Sequence, residues 1–167
     1  MKRLLFVVLA ALVCGSSAGV LGQAKPAPTY ESALLNSWKG VHNRVLTMAK
    51  DTTFPDDKLA WKPHPDARSV LDEFRHVTIG LEASAALARG EKFDFGAREK
   101  ADASKPRTRE SMVKEMEAAI AASFAAVESK PMPQLVGWLE HQGEHYGKLV
   151  NAYRANGIVP PVSRPKS

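Results

Sequence analysis

A chain of 167 residues, 44% hydrophobic and 25% charged, has the length and composition of one globular domain with one core. Its net charge of +5 falls by two, to +3, without Lys2 and Arg3, and the most charged stretch, REKADASKPRTRESMVKE, alternates signs instead of forming a basic stripe. That pattern argues against nucleic acid as a partner and for a solvated loop and helix start.

Residues 1–24 begin with Lys2 and Arg3, continue with an apolar run from Leu4 to Val13 and end in small residues, the layout of a secretory signal peptide. The run is shorter than the ~20 residues needed to span a bilayer. Cleavage fits after Ala24 or after Ala18, and Ala24 is preferred because it leaves KPAP as a loose start to a single domain over 25–167. Val13 before Cys14 disfavours lipidation, since a small residue normally stands there. The expected product is exported, periplasmic or extracellular, and keeps no stable membrane anchor. It also loses the only cysteine, so its chemistry must run on His, Glu, Asp or a bound cofactor.

Leu34, Leu35, Trp38, Val41, Val45, Leu46 and Met48 recur at helical spacing and predict a first amphipathic helix from Tyr30 to about Lys50. Residues 51–67 carry three prolines and read as an irregular connection. Ser69 and Asp72 form a capping-box pattern that opens a second helix, with Val70, Phe74, Val77, Leu81, Ala85 and Ala88 inward and Gly90 as its stop. From residue 90 to about 107 there is little periodicity, which predicts a long loop pinned by Phe93 and Phe95. A third helix follows from about Thr108 to Ser129, with Met112, Met116, Ile120, Phe124 and Val127 on one stripe. Pro131 and Pro133 suit the first turn of a fourth helix through Leu135, Trp138, Leu139, Leu149 and Tyr153, ended by Gly157 and the prolines at 160 and 161. No stretch alternates with period two, so the expected fold is all-α, an up-and-down four-helix bundle.

The histidines then carry the argument. His141 and His145, four apart on the fourth helix, share one face; such a pair can grip a metal ion or simply be two polar residues on a wet surface. At 1.5 Å per residue, His76 lies about 10 Å into the second helix and the pair about 12 to 18 Å into the fourth. If the helices alternate in direction, these three and His42 on the first helix reach one level. His76 shares a line with Glu73, Gly80 and Ala83, whose small side chains would leave room for a ligand. His64, in KPHPD, reads as an exposed loop residue.

Two segments, RSVLDEFRH (68–76) and EHYGKLVNAYRANGIVPP (144–161), resemble the DinB-like superfamily of small metalloenzymes, in particular a secreted bacterial branch. With the helix count, the similarity covers nearly the whole domain. The resemblance implies a mirror-handed up-and-down bundle and a divalent metal held by His76, His141 and His145. His42 matches no ligand of the family and stays a residue behind the ligands, facing substrate, or simply buried. Three imidazoles would leave an open coordination position, as in catalytic sites, where water or an external thiol would be acidified. Zinc is the default, and nickel or iron also suits nitrogen ligation.

By resemblance the activity is a thiol-dependent transfer or isomerisation and the partner a low-molecular-weight thiol. Those thiols are cytosolic, whereas this chain carries an export signal. Hydrolysis by bound water therefore competes, as does a bundle that binds metal or a small ligand without turnover. Glu73 and Glu144 are candidate general bases, though for each a surface carboxylate or a partner for an imidazole Nδ1 is the preferred reading. The small-molecule substrate is not specified by these residues, and a homodimer is left open.

Overall fold

The computed structural model describes residues 27–165 except Arg107 and Pro131, so the signal-peptide reading of residues 1–24 lies outside the described residues. Five α-helices make up the fold, and no strand occurs among the described residues: α1 (Tyr30–Lys50), α2 (Val70–Arg89), α3 (Phe95–Ala103), α4 (Arg109–Ser129) and α5 (Leu135–Ala155). No described helix is long and apolar enough to cross a membrane.

Local chemistry sets the ends of these helices. The Thr29 side chain accepts from Ser32 N at the start of α1. At α2 the expected capping box is formed in both directions: Ser69 Oγ accepts from Asp72 N at 3.1 Å and Asp72 Oδ2 from Ser69 N at 3.3 Å. Gly90 ends α2 at φ 78°, a left-handed conformation that only glycine adopts cheaply. Gly157 follows α5 in the same way, with Ile158 N returning to Tyr153 O at 3.0 Å. Pro133 stands two residues before the first turn of α5 instead of inside it, and its carbonyl accepts from Val136 N.

The four long helices share one core, in which Trp38, Phe54, Phe74, Met116, Leu149 and Tyr153 are almost fully buried. Burial of each such side chain contributes roughly 1.5–3 kcal/mol. Most of the stripe positions expected from periodicity are buried, while Leu35, Leu46, Phe124, Trp138 and Leu139 pack partly buried at its margin. The proline-rich connection adds to the core as well: Phe54 packs on Tyr153 at 4.6 Å between centroids, and Leu59 is buried from a short 3-10 turn, Asp56–Ala60.

Two expectations are corrected. The stretch after Gly90 is not simply a loop, because its middle forms α3, capped by Asp94 on Ala97 N at 3.0 Å. The long helices also do not alternate strictly in direction. Lys39 pairs with Glu128 and Lys50 with Glu117, so α1 and α4 run antiparallel. Arg75 meets Glu115 while Ser84 meets Ser123, so α2 and α4 run parallel. Glu73 meets His145 while Gln142 meets Val77, so α2 and α5 run antiparallel.

The physical reason is α3, which carries the chain back along α2. Arg98 binds Glu82 at 2.6 and 2.8 Å, and Asp102 takes a bidentate pair from Arg75 at 2.5 and 2.7 Å. With both side chains of the Arg75–Asp102 pair nearly buried, this is a charge-assisted clamp well shielded from solvent. α4 therefore starts beside the start of α2.

Candidate metal centre

α2 contributes His76 and α5 contributes His141 and His145, and their ligand atoms all lie within 4.8 Å of one another. His141 Nε2 is 3.2 Å from His76 Nε2 and 3.2 Å from His145 Nε2. Two nitrogens bound to one ion at 2.0–2.1 Å with a tetrahedral angle would be about 3.3 Å apart. The spacing therefore suits a shared ion, and all three rings present the same nitrogen to it.

The other ring nitrogens show how that presentation is held. His145, 1% exposed, has Nδ1 at 2.5 Å from Glu73 Oε2, one turn before His76 on α2. Donation of Nδ1–H to this carboxylate leaves the lone pair on Nε2, the tautomer a metal requires. His76 Nδ1 lies 3.3 Å from Glu99 Oε1 on α3, off the line of a well-formed hydrogen bond. The Glu99 charge still favours the proton on Nδ1 and the lone pair on Nε2. Among the described residues, then, two of the three imidazoles have a carboxylate behind them.

Burial and charge lower the pKa of both His76 and His141. Burial lowers the His76 pKa to about 4, helped by the charges of Arg68, His145 and His141 and opposed by Glu99. His141 is also held below the ordinary value of 6.5, first by burial and then by His145, with Glu144 pulling the other way. Neutral imidazoles at physiological pH are free to ligate. For Glu73, burial pushes the carboxyl up, but the hydrogen bond and charge of His145, with Lys148 and Arg68, outweigh it and leave the pKa below 4.5.

An aromatic wall closes one side. Trp138 meets His141 edge-on at 6.4 Å, and Phe95 from α3 stacks on Trp138 at 5.7 Å. On another side, Arg68, His76 and Glu99 line a cavity of about 270 Å³.

The remaining candidates divide. Glu73 holds an imidazole, whereas Glu144 is exposed and reaches His141 only through its charge. His42 does not join the cluster. It is fully buried, with Nδ1 2.7 Å from Trp38 O and its ring 4.2 Å from the Trp38 ring, so it is a core residue. His64 is exposed beside Asp66, as expected. The space beside Gly80 is not left for a ligand: a Cβ there would collide with the amide of buried Gln142, which fills the gap between α2 and α5.

Glu99 was missed because it stands in the stretch read as loop. Asp94, a good N-cap before FGAREKADA, was the signal that a helix begins there. Arg68 enters the sequence pattern only as the first residue of RSVLDEFRH, and its charge helps to lower the pKa of His76 and His141. No protein-family model matches the sequence, and a search of curated proteins likewise finds no match.

Proposed function

We propose that this chain is a DinB-like metalloprotein whose α1, α2, α4 and α5 form a four-helix bundle, with α3 inserted in the return between α2 and α4. One divalent ion, zinc by default, is held by Nε2 of His76, His141 and His145. The observation that carries this reading is the convergence of three Nε2 atoms, two of them on rings with a carboxylate at Nδ1. Such ring–carboxylate pairs raise ligand basicity and fix ring orientation, a cost hard to explain for histidines that only pack.

When bound, the ion would supply a Lewis acid with a position left for an exchangeable ligand, because three neutral ligands do not complete its coordination. The chain's own residues supply orientation and exclusion of water. Glu73 holds the His145 tautomer, Glu99 biases that of His76, and Trp138 with Phe95 screens His141 from solvent. Positive charge from Arg68 and Lys148 lies close enough to bear on Glu73 and His141.

Within this reading the activity is metal-dependent, thiol-dependent transfer by resemblance, with hydrolysis as the competing chemistry. The signal-like residues 1–24 support action outside the cytoplasm. Metal analysis of protein purified from zinc-, nickel- and iron-supplemented cultures should find about one equivalent of ion, and His145→Ala should lose it while staying helical by circular dichroism. Absence of metal under all supplements would sink the assignment. A screen of thiol and electrophile pairs against ester and amide substrates then separates the two chemistries, and only activity that follows metal content counts for either.

A further inference from the structure

Beside the three histidines lies a second, larger cavity, of about 720 Å³, in the range of small-molecule sites. Trp61, Pro63 and Ala155 give it an apolar wall, and Arg68, Lys148 and Glu73 its polar groups. It lies where the proline-rich connection leaves the bundle, with Trp61 O tied to Val70 N at 3.0 Å.

We propose that this cavity binds a small organic anion with an apolar body, its charged end held by Lys148 and Arg68 and its body laid along Trp61 and Pro63. The charges on the wall are unequally engaged. Glu73 turns its Oε2 to His145 Nδ1 at 2.5 Å, so that acceptor is engaged within the protein. Asp66 also borders the cavity, but its side chain is 93% exposed and lies 3.6 Å from the His64 imidazole, so water screens most of its charge. Arg68 has only a loose pair with Glu99 at 3.8 Å, and Lys148 makes no ion pair among the described residues. The open hydrogen-bonding groups of the wall are therefore the two cationic donors, which suit a carboxylate.

A mixed lining selects further. An inorganic anion would leave the Trp61 and Pro63 surface wet, whereas a hydrocarbon without charge would leave two cations unanswered. A carboxylate on a chain or ring of about six carbons satisfies both, with burial of each CH₂ contributing ~0.8 kcal/mol. Glu73 joins this cavity to the centre, because the carboxylate that lines it also holds His145.

The test is a heteronuclear NMR titration of the full chain, metal-free and again zinc-loaded, with hexanoate, hexanamide and hexylamine. Hexanoate should shift resonances of Trp61, Lys148 and Ala152 in the metal-free protein, and Lys148→Gln or Arg68→Gln should weaken it about fivefold, the size of one exposed charge pair. Ala155→Trp, which places bulk on the exposed lining, should abolish the shifts. Equal binding of hexanamide, tighter binding of hexylamine, or hexanoate shifts unchanged in Ala155→Trp would each overturn the proposal. Because the metal-free arm needs no ion, its result stands whether or not the histidines take one.

Discussion

Replacing Glu73 tests the logic of the centre most directly. Its Oε2 lies 2.5 Å from His145 Nδ1, and the two side chains are only 12% and 2% exposed, so solvent cannot easily take over the bond. Glu73→Ala leaves an Nδ1–H without an acceptor, frees the ring to turn, and lets the proton move to Nε2, where it blocks ligation. Loss of such a partner typically lowers metal affinity 10–100-fold, about 1.4–2.7 kcal/mol. Glu73→Gln keeps a carbonyl acceptor but removes the charge, so its loss should fall between that of alanine and the parent. Competition with a chromophoric zinc chelator at pH 7.5 measures all three, with far-UV circular dichroism as the control for folding. An alanine variant within twofold of the parent would refute the claim that this carboxylate sets the ligand's tautomer.

Other expectations concern the scaffold. Asp102→Asn should cost about 3 kcal/mol in urea unfolding, because it leaves the nearly buried Arg75 guanidinium without its bidentate partner. The Asp102 carboxyl is pushed up by burial, but Arg75 and Arg98 hold it below 3.8; its contribution is therefore present above that pH and is lost as the pH falls through the still lower folded value. Burial lowers the His42 pKa from 6.5 to about 4 against the pull of its bond to Trp38, so the unfolded chain takes up a proton first. Stability should thus fall as pH drops from 6.5 to 4, and His42→Phe should flatten that slope; superimposable slopes would contradict it. Ser69→Ala removes the capping box that starts α2 and should cost about 1 kcal/mol by the same unfolding assay.

What could be read from sequence followed the range of the interactions involved. Ser69 with Asp72, Gly90 and Gly157 act within one turn of chain, so their spacing was enough. The stripes of α1, α2 and α4 were legible because burial repeats with the helix period. α3 was not, because FGAREKADA has little apolar surface and is held by charges that join Arg98 to Glu82, 16 residues away, and Asp102 to Arg75, 27 away. Gln142 filling the space beside Gly80 is likewise a contact between distant segments, and no local pattern announces it.

His76, His141 and His145 meet although the second and last long helices run in opposite directions, not the same one as helix alternation would have them. His145 stands at the midpoint of α5, about 15 Å from either end, so reversing that helix leaves its level unchanged. The chemistry, however, depends on direction. Glu73 and His76 are about 4.5 Å apart along α2, and His141 and His145 about 6 Å apart along α5. Run antiparallel, Glu73 reaches His145 and His76 reaches His141. A parallel pair would instead set Glu73 against His141 and His76 against His145. The direction of α5 thus decides which imidazole receives the buried carboxylate, and it gives that carboxylate to His145, the most enclosed of the three, where no water could replace it.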